Sequence, residues 1–262
     1  MNTKFTKSFA LTKELQLALF LVVSFGLFGF ANAKYSDRIC RKVVVNITND
    51  SLYQFISTED IRQLLAEGNN AAYAGIQINK INLHAIESKL EENAYTANAE
   101  VSLDATGNLI VSATQKKPLA RLYNDDGTDF FVDAEGRLFP ENKEYSPRVL
   151  LVFGMPWAWQ VNKDMNEMPE GKAFTELLSL IEKDAFWRAQ IAEIWINYKG
   201  ELTLMPQVGN QIIEFGTTAD ASNKLKKLHA FYKQIVDKAG WNKYRKVSVK
   251  FKNQIVCEKN NS

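Results

Sequence analysis

Residues Leu15 to Ala33, LQLALFLVVSFGLFGFANA, form a long uncharged apolar run bracketed by Lys13-Glu14 and Lys34. A helix of about 19 residues reaches about 28 Å, close to the roughly 30 Å hydrocarbon core of a bilayer. The body of about 230 residues that follows contains no second stretch of that kind. The run therefore divides the chain into a short head, one crossing or export signal, and a large water-soluble body.

Two fates of the run are compatible with the residues. Ala31-Asn32-Ala33 has the small-x-small form of a signal peptidase site, and Lys4, Lys7 and Lys13 supply a basic n-region. A retained anchor is favoured by length, since an h-region typically spans only about 7 to 15 residues. Charge does not fix the orientation, because Lys34, Arg38, Arg41 and Lys42 crowd the far side as densely as the lysines crowd the near side. Long domains translocate largely regardless of charge, so the short head is the part expected to stay inside. The expected anchor presents Leu15, Leu19, Val22, Phe25, Phe28 and Phe30.

The body has the makings of globular cores: 46% of the chain is hydrophobic, 24% charged and 11% aromatic. Its length suits two domains. A net charge of +2 gives no field that would favour nucleic acid. The densest basic stretch, Lys243 to Lys252, alternates with apolar residues and reads as the wet face of a strand. Cys40 and Cys257 lie at opposite ends of the body, and no CxxC or Cys/His cluster offers a zinc ligand set. His84 and His229 are the only histidines, each on a predicted helix. No phosphate-binding loop, serine elbow or HExxH motif occurs, so neither a cofactor nor catalysis is expected.

Periodicity predicts a strand over Arg41 to Thr48. Ser57-Thr58-Glu59-Asp60 then starts a helix in capping-box fashion, with Ile61, Leu64 and Leu65 on one face and Gly68 as its stop. A second helix begins near Asn82 with Leu83, Ile86 and Leu90 aligned. Strands Ala97 to Leu103 and Leu109 to Thr114 flank a turn at Asp104 to Asn108. The order is β-α-α-β-β. Beyond Lys116 the pattern changes to short strands at Arg121 to Asn124, Thr128 to Val132 and Arg148 to Phe153. Met155 to Gly171, which holds Trp157 and Trp159, reads as a loop. A helix over Ala173 to Asp184 is followed by strands Ile191 to Tyr198, Glu201 to Met205 and Gln211 to Phe215. A long helix over Ala221 to Ala239 stops at Gly240, and Lys246 to Cys257 reads as one final strand.

Three stretches carry a resemblance. The first runs from Ala99-Glu100-Val101 to Gln115-Lys116-Lys117-Pro118-Leu119-Ala120-Arg121. The second is Phe130-Phe131-Val132-Asp133-Ala134-Glu135-Gly136-Arg137-Leu138-Phe139-Pro140, followed by Arg148 to Gly154. The third comprises Ile213-Glu214-Phe215-Gly216, the amphipathic helix, Tyr244 and Asn253-Gln254-Ile255-Val256-Cys257. Their order and spacing resemble the cell division protein family FtsQ/DivIB in its Bacteroidetes-like form, and the β-α-α-β-β unit resembles a POTRA domain. The chain departs from the family pattern at Asn93-Ala94-Tyr95-Thr96 and in carrying lysines after Gln115.

The resemblance implies an α+β fold in five parts: a cytoplasmic tail over 1–14, a transmembrane helix over 15–33, a POTRA-like domain over 34–115, a β domain over 116–257 and a C-terminal tail over 258–262. It implies a non-enzymatic, bitopic inner-membrane protein of the divisome, with its body in the periplasm at the division septum. The implied partners are FtsB-like and FtsL-like membrane coiled-coil proteins and, through them, the septal cell-wall synthase. It strengthens the case for a retained anchor. On the terminal strand, a partner strand adding to a free edge would be selected by Tyr244, Val249, Phe251, Gln254 and Val256. Rival readings are a secreted periplasmic binding protein with a cleaved signal peptide, a POTRA-type chaperone of outer-membrane assembly and, on the weakest grounds, an enzyme.

Overall fold

The computed structural model describes residues 16–26, 38–48, 53–66, 73–124, 127–154 and 164–260. Residues 16–26 are helical (α1). The apolar side chains Leu17, Leu19, Phe20, Leu21, Val22, Val23 and Phe25 are between 51% and 78% exposed. Among the described residues no helix is long and apolar enough to cross a membrane. The expectations at Leu15, Phe28, Phe30, Ala31-Asn32-Ala33, Gly68, Trp157 and Trp159 lie outside the described residues.

The chain divides into two compact units, one built from residues 1–48, 57–93 and 98–114, the other from 49–56, 94–97 and 115–262. The first unit contains β1 (Val43–Thr48), α2 (Thr58–Ala66), α3 (Leu83–Glu91) and all but the ends at Thr96, Ala97 and Gln115 of β2 (Thr96–Leu103) and β3 (Leu109–Gln115). The sheet order is β1-β3-β2, with β1 parallel to β3. A parallel pair needs a crossover, and the two helices supply it. The Ser57 amide donates to Asp60 Oδ2 at 2.7 Å and the Asp60 amide to Ser57 Oγ at 3.1 Å, a reciprocal cap that starts α2. Asn82 Oδ1 accepts from the Ala85 amide and starts α3. Ile61, Leu65, Ile86 and Leu90 face inward and are buried, as the stripes predict.

The second unit is built on a nine-stranded mixed sheet. These are β4 (Ala120–Tyr123), β5 (Phe130–Val132), β6 (Leu138–Pro140), β7 (Leu150–Phe153), β8 (Ile191–Ile196), β9 (Leu202–Pro206), β10 (Ile212–Gly216), β11 (Tyr244–Ser248) and β12 (Val256–Lys259). They lie in the order β12-β11-β10-β9-β8-β7-β4-β5-β6. β4, β7 and β8 run parallel, as do β10 and β11. Helices α4 (Pro169–Lys183) and α5 (Ala185–Gln190) make the crossover from β7 to β8 and α6 (Ala221–Phe231) the one from β10 to β11, and they cover one face, while β4 reaches β7 through β5 and β6. Phe174, Leu177, Leu178, Leu225, Leu228 and Phe231 pack there on Leu122, Val152, Ile194, Leu204, Ile213 and Phe215.

Four expectations need correction. The stretch from Met155 to Gly171 is not a loop throughout, because Met165–Glu167 is a 3-10 turn and α4 starts at Pro169. Proline is tolerated there because the first helical N–H has no intrahelical partner anyway. Gly171 is required at that corner, since a Cβ would meet Met165 O at 2.2 Å. Helix α5 is an addition, too short to show a period, started by Asp184 Oδ1 accepting from the Phe186 and Trp187 amides. The Ala221 to Ala239 helix is interrupted by a π segment, Tyr232–Val236. The wider turn keeps Phe231, Tyr232 and Val236 all buried against the sheet. The final strand, Lys246 to Cys257, is in fact a hairpin of β11 and β12, turned at Asn253 with φ 58°.

The Asp-x-x-Gly hairpin has a local cause. Asp133 is buried, and its Oδ1 accepts from the Glu135 and Arg137 amides while Oδ2 accepts from Arg137 Nε at 3.0 Å. Gly136 closes the turn at φ 78°, a conformation that favours glycine.

Residues 53–56 and 94–97 bring aromatic groups into the second unit. The Phe55 ring lies 5.7 Å from Tyr95, 5.5 Å from Phe131, 5.6 Å from Phe139 and 5.2 Å from Tyr145. Gln115 holds this segment by its amide group. Its Oε1 accepts from the Phe55 amide at 2.8 Å and its Nε2 donates to Tyr53 O. The side chain thus substitutes for a neighbouring strand, which explains the glutamine before Lys116-Lys117-Pro118. Removing it strands a buried donor and acceptor, so Gln115→Ala should destabilise by about 2 kcal/mol in urea unfolding. Phe55→Ala should cost more, about 3–5 kcal/mol, because it empties the centre of the cluster. Equal or smaller losses than at exposed control positions would refute both assignments.

Candidate strand-edge interface

A sheet offers a partner its unpaired edge, so each edge must be checked for what covers it. In the first unit, β2 is an edge, but α3 covers part of it. Glu91 Oε1 accepts from the Ala99 amide at 3.2 Å and Glu87 Oε1 from the Val101 amide at 2.9 Å. In the second unit, β6 is an edge only three residues long that ends on Pro140, which has no N–H. The Met165 amide donates to Gly136 O at 2.8 Å, and Arg137 bridges to Asp164 beside that strand.

The opposite edge, β12, differs. It pairs with β11 on one side, and no described strand pairs with it on the other. Alternation is clear along it. Ile255 and Cys257 pack against the core, while Val256 is 43% exposed. Glu258 shares the outer side with Val256 and anchors the strand by charge. Its carboxylate lies 2.7 Å from Arg245 and 3.7 Å from Lys246. Lys246 also meets Glu214 of β10 at 3.0 Å, and Lys250 reaches Glu214 at 3.6 Å. A network of five charged residues therefore ties β12 and β11 to β10. The hydrogen bond from Lys246 holds the Glu214 carboxyl below its ordinary range, and the same bond raises Lys246. Burial pushes the Cys257 thiol up. Both cysteines are free thiols.

The hairpin is also held from the helix side. Lys227 Nζ of α6 donates to Val249 O at 2.7 Å and Phe251 O at 2.5 Å, satisfying carbonyls that leave the sheet. The Val249 amide donates to Glu214 O at 3.0 Å, and Asn260 N to Lys243 O at 3.0 Å. The hairpin is thus fastened from the sheet side and from the helix side.

The five residues assigned to this strand from the sequence separate into two groups. Val256 stands on β12, and Phe251 and Gln254 lie exposed in the turn that precedes it. Tyr244 and Val249 do not join them. Tyr244 is on β11 with its ring 5.8 Å from Phe231, and Val249 is fully buried. The shift follows from the turn at Asn253, which reverses the chain where a continuous strand was expected. Sequence reasoning missed Arg245, Glu258 and Glu214. Their signal was present as alternating opposite charges near the C-terminus, but which strands bring them together is a tertiary fact.

Other features offer less. Among the described residues no group of three or more His, Cys, Asp or Glu could hold a metal. His84 is exposed beside Glu87, and His229 packs at 5.0 Å on Phe186. A groove of about 1000 Å³ in the second unit mixes Lys117, Arg148, Arg188, Glu182 and Glu193 with leucines and isoleucines. It brings together no nucleophile with a general base.

Residues 117–258 match the family described as FtsQ/DivIB, C-terminal related. Residues 38–114 match the POTRA-like domain. No curated protein matches the chain. The first match alone covers more than half of the chain and contains the nine-stranded sheet up to Glu258 of β12. The chain therefore belongs to the FtsQ/DivIB family, non-enzymatic scaffolds of cell division, and carries a POTRA domain in front of its family-defining unit.

Proposed function

We propose that this chain is a bitopic inner-membrane protein of the divisome that holds FtsB-like and FtsL-like partners at the septum. The observation that carries the reading is the edge of β12, which among the described residues has a strand on one side only and is fastened by ion pairs and by Lys227. A partner segment extends the sheet there by main-chain hydrogen bonds, the mode known as β-augmentation. Val256, Gln254 and Phe251 are the side chains that meet it. The membrane anchor is residues 15–33, with the tail 1–14 in the cytoplasm and the two units in the periplasm. Support for the anchor comes from the exposed apolar faces of Leu19, Val22 and Phe25, which no described part of the protein covers.

Three outcomes test this reading. Combined Val256→Lys and Phe251→Ala substitutions should reduce co-purification of the FtsB-like partner about tenfold, the equivalent of about 1.4 kcal/mol. Unfolding midpoints should stay close to the parent, because both side chains are exposed. Unchanged co-purification would remove β12 as the partner edge. Depletion should produce filaments, with a fluorescent fusion at midcell in the undepleted strain; normal cell lengths and a uniform signal would sink the division role. The N-terminus recovered from membranes should be intact, whereas one starting at Lys34 would favour a cleaved, freely periplasmic protein.

A further inference from the structure

The face of the nine-stranded sheet that the helices leave bare carries a stack of rings across three parallel strands. Tyr123 of β4, Phe153 of β7 and Trp195 of β8 are paired in register. The Tyr123 and Phe153 rings are 4.9 Å apart and 14° from parallel, and Phe153 and Trp195 are 4.4 Å apart and 20° from parallel. Stacked in this way, the rings turn edges to solvent and leave open faces only at the two ends of the stack.

The protein closes one end itself. The Arg121 guanidinium lies 4.8 Å over the Tyr123 ring. Since Phe153 occupies the other face of Tyr123, the guanidinium covers the outward one. Two carboxylates hold it there, Asp129 at 2.7 Å and Glu141 at 2.6 Å. That end combines a ring, a planar cation and carboxylates, an arrangement in which guanidinium stacks on a π face and is neutralised in the same plane.

The other end has the ring and the carboxylate, but among the described residues no cation stacks on the ring; Lys246 and Lys250 are held two strands away by Glu214. Trp195 is 47% exposed. Its indole Nε1 donates to Glu193 Oε2 at 2.8 Å, so the carboxylate stands beside the ring and orients it. None of the ion pairs among the described residues involves Glu193. The next residue across the sheet, on β9, is Thr203, and the one after that, on β10, is Glu214. Strands are spaced about 4.8 Å apart, so Trp195 and Glu214 are separated by about 9.6 Å with only a threonine between them. That gap accepts one flat group.

We propose that the slot above Thr203, walled by Trp195 and served by Glu193, docks an arginine side chain of a partner protein. Arginine fits better than the alternatives. A neutral ring would fill the gap and leave Glu193 without a cation. Lysine would bring the charge as a compact, strongly hydrated point that gains little from a flat slot. The site lies on β8 and β9, three strands in from β12, and stands whether or not β12 accepts a strand.

The test uses the full chain in a mild detergent, labelled with 5-fluorotryptophan. Its five tryptophans give five ¹⁹F resonances, and Trp195→Phe assigns the one of interest. The probes are acetylated Gly-Arg-Gly amide, its lysine counterpart and its neutral citrulline counterpart. The arginine peptide should shift the Trp195 resonance saturably, binding roughly threefold or more tighter than the lysine peptide. The citrulline peptide should give no saturable shift. Glu193→Gln should weaken the arginine response by a similar factor. Thr203→Arg, which supplies the guanidinium from within, should retain the fold and abolish the response to the added peptide. Equal responses to arginine and citrulline, no response at all, or a response indifferent to both Glu193→Gln and Thr203→Arg would overturn the proposal.

Discussion

Every backbone N–H and C=O taken out of water must find a partner, and most of this architecture follows from how that demand is met. Nine strands in one sheet satisfy it for the interior strands. The parallel pairs β7–β8 and β10–β11 then need crossovers, which place α4, α5 and α6 on one face. Burial of Phe174, Leu177, Leu228 and Phe231 against Val152, Leu204 and Phe215 follows from that placement. The sheet must still stop somewhere, and its two ends stop differently.

Side chains stand in for strands wherever the ladder runs out. Gln115 pairs with the backbone of residues 53–55 through its amide. Glu87 and Glu91 take amides of β2, and Asp133 takes two amides of its own turn. Lys227 satisfies two carbonyls beyond β11. Apart from Asp133, each of these polar groups is placed by one element to complete another. The edge of β12 is the contrasting case, fastened on one side by charges and, among the described residues, without a strand on the other. An edge fastened in this way is suited to recognition, since a partner need not first order it.

Much of the POTRA unit was legible because its signals are local. Capping residues Ser57, Asp60 and Asn82 start helices where the sequence places them, and the apolar stripes choose the buried faces. The C-terminal hairpin was read less well. Val247, Val249 and Phe251 alternate with lysines through a turn that carries no glycine or proline, so periodicity alone cannot see the reversal at Asn253. Two of the five residues expected at the edge accordingly face the core. Pro169 misled in the opposite direction, since proline is a breaker in a loop and a starter at the first turn of a helix. The rings Tyr123, Phe153 and Trp195 lie far apart in the chain, and nothing in their neighbourhoods announces that they stack.

By itself the sequence determined the family, the two-unit order, the short-range caps and turns, and the apolar run ahead of them. These depend on residues within about ten positions of each other, or on motifs in a set order. Tertiary structure alone decided which edge is covered, which charges form the network around Glu214, and which rings share a face. Those outcomes depend on strand order and register. Register couples residues as distant as Glu214 and Ser248 or Phe153 and Trp195 through backbone pairing, which composition and periodicity do not encode.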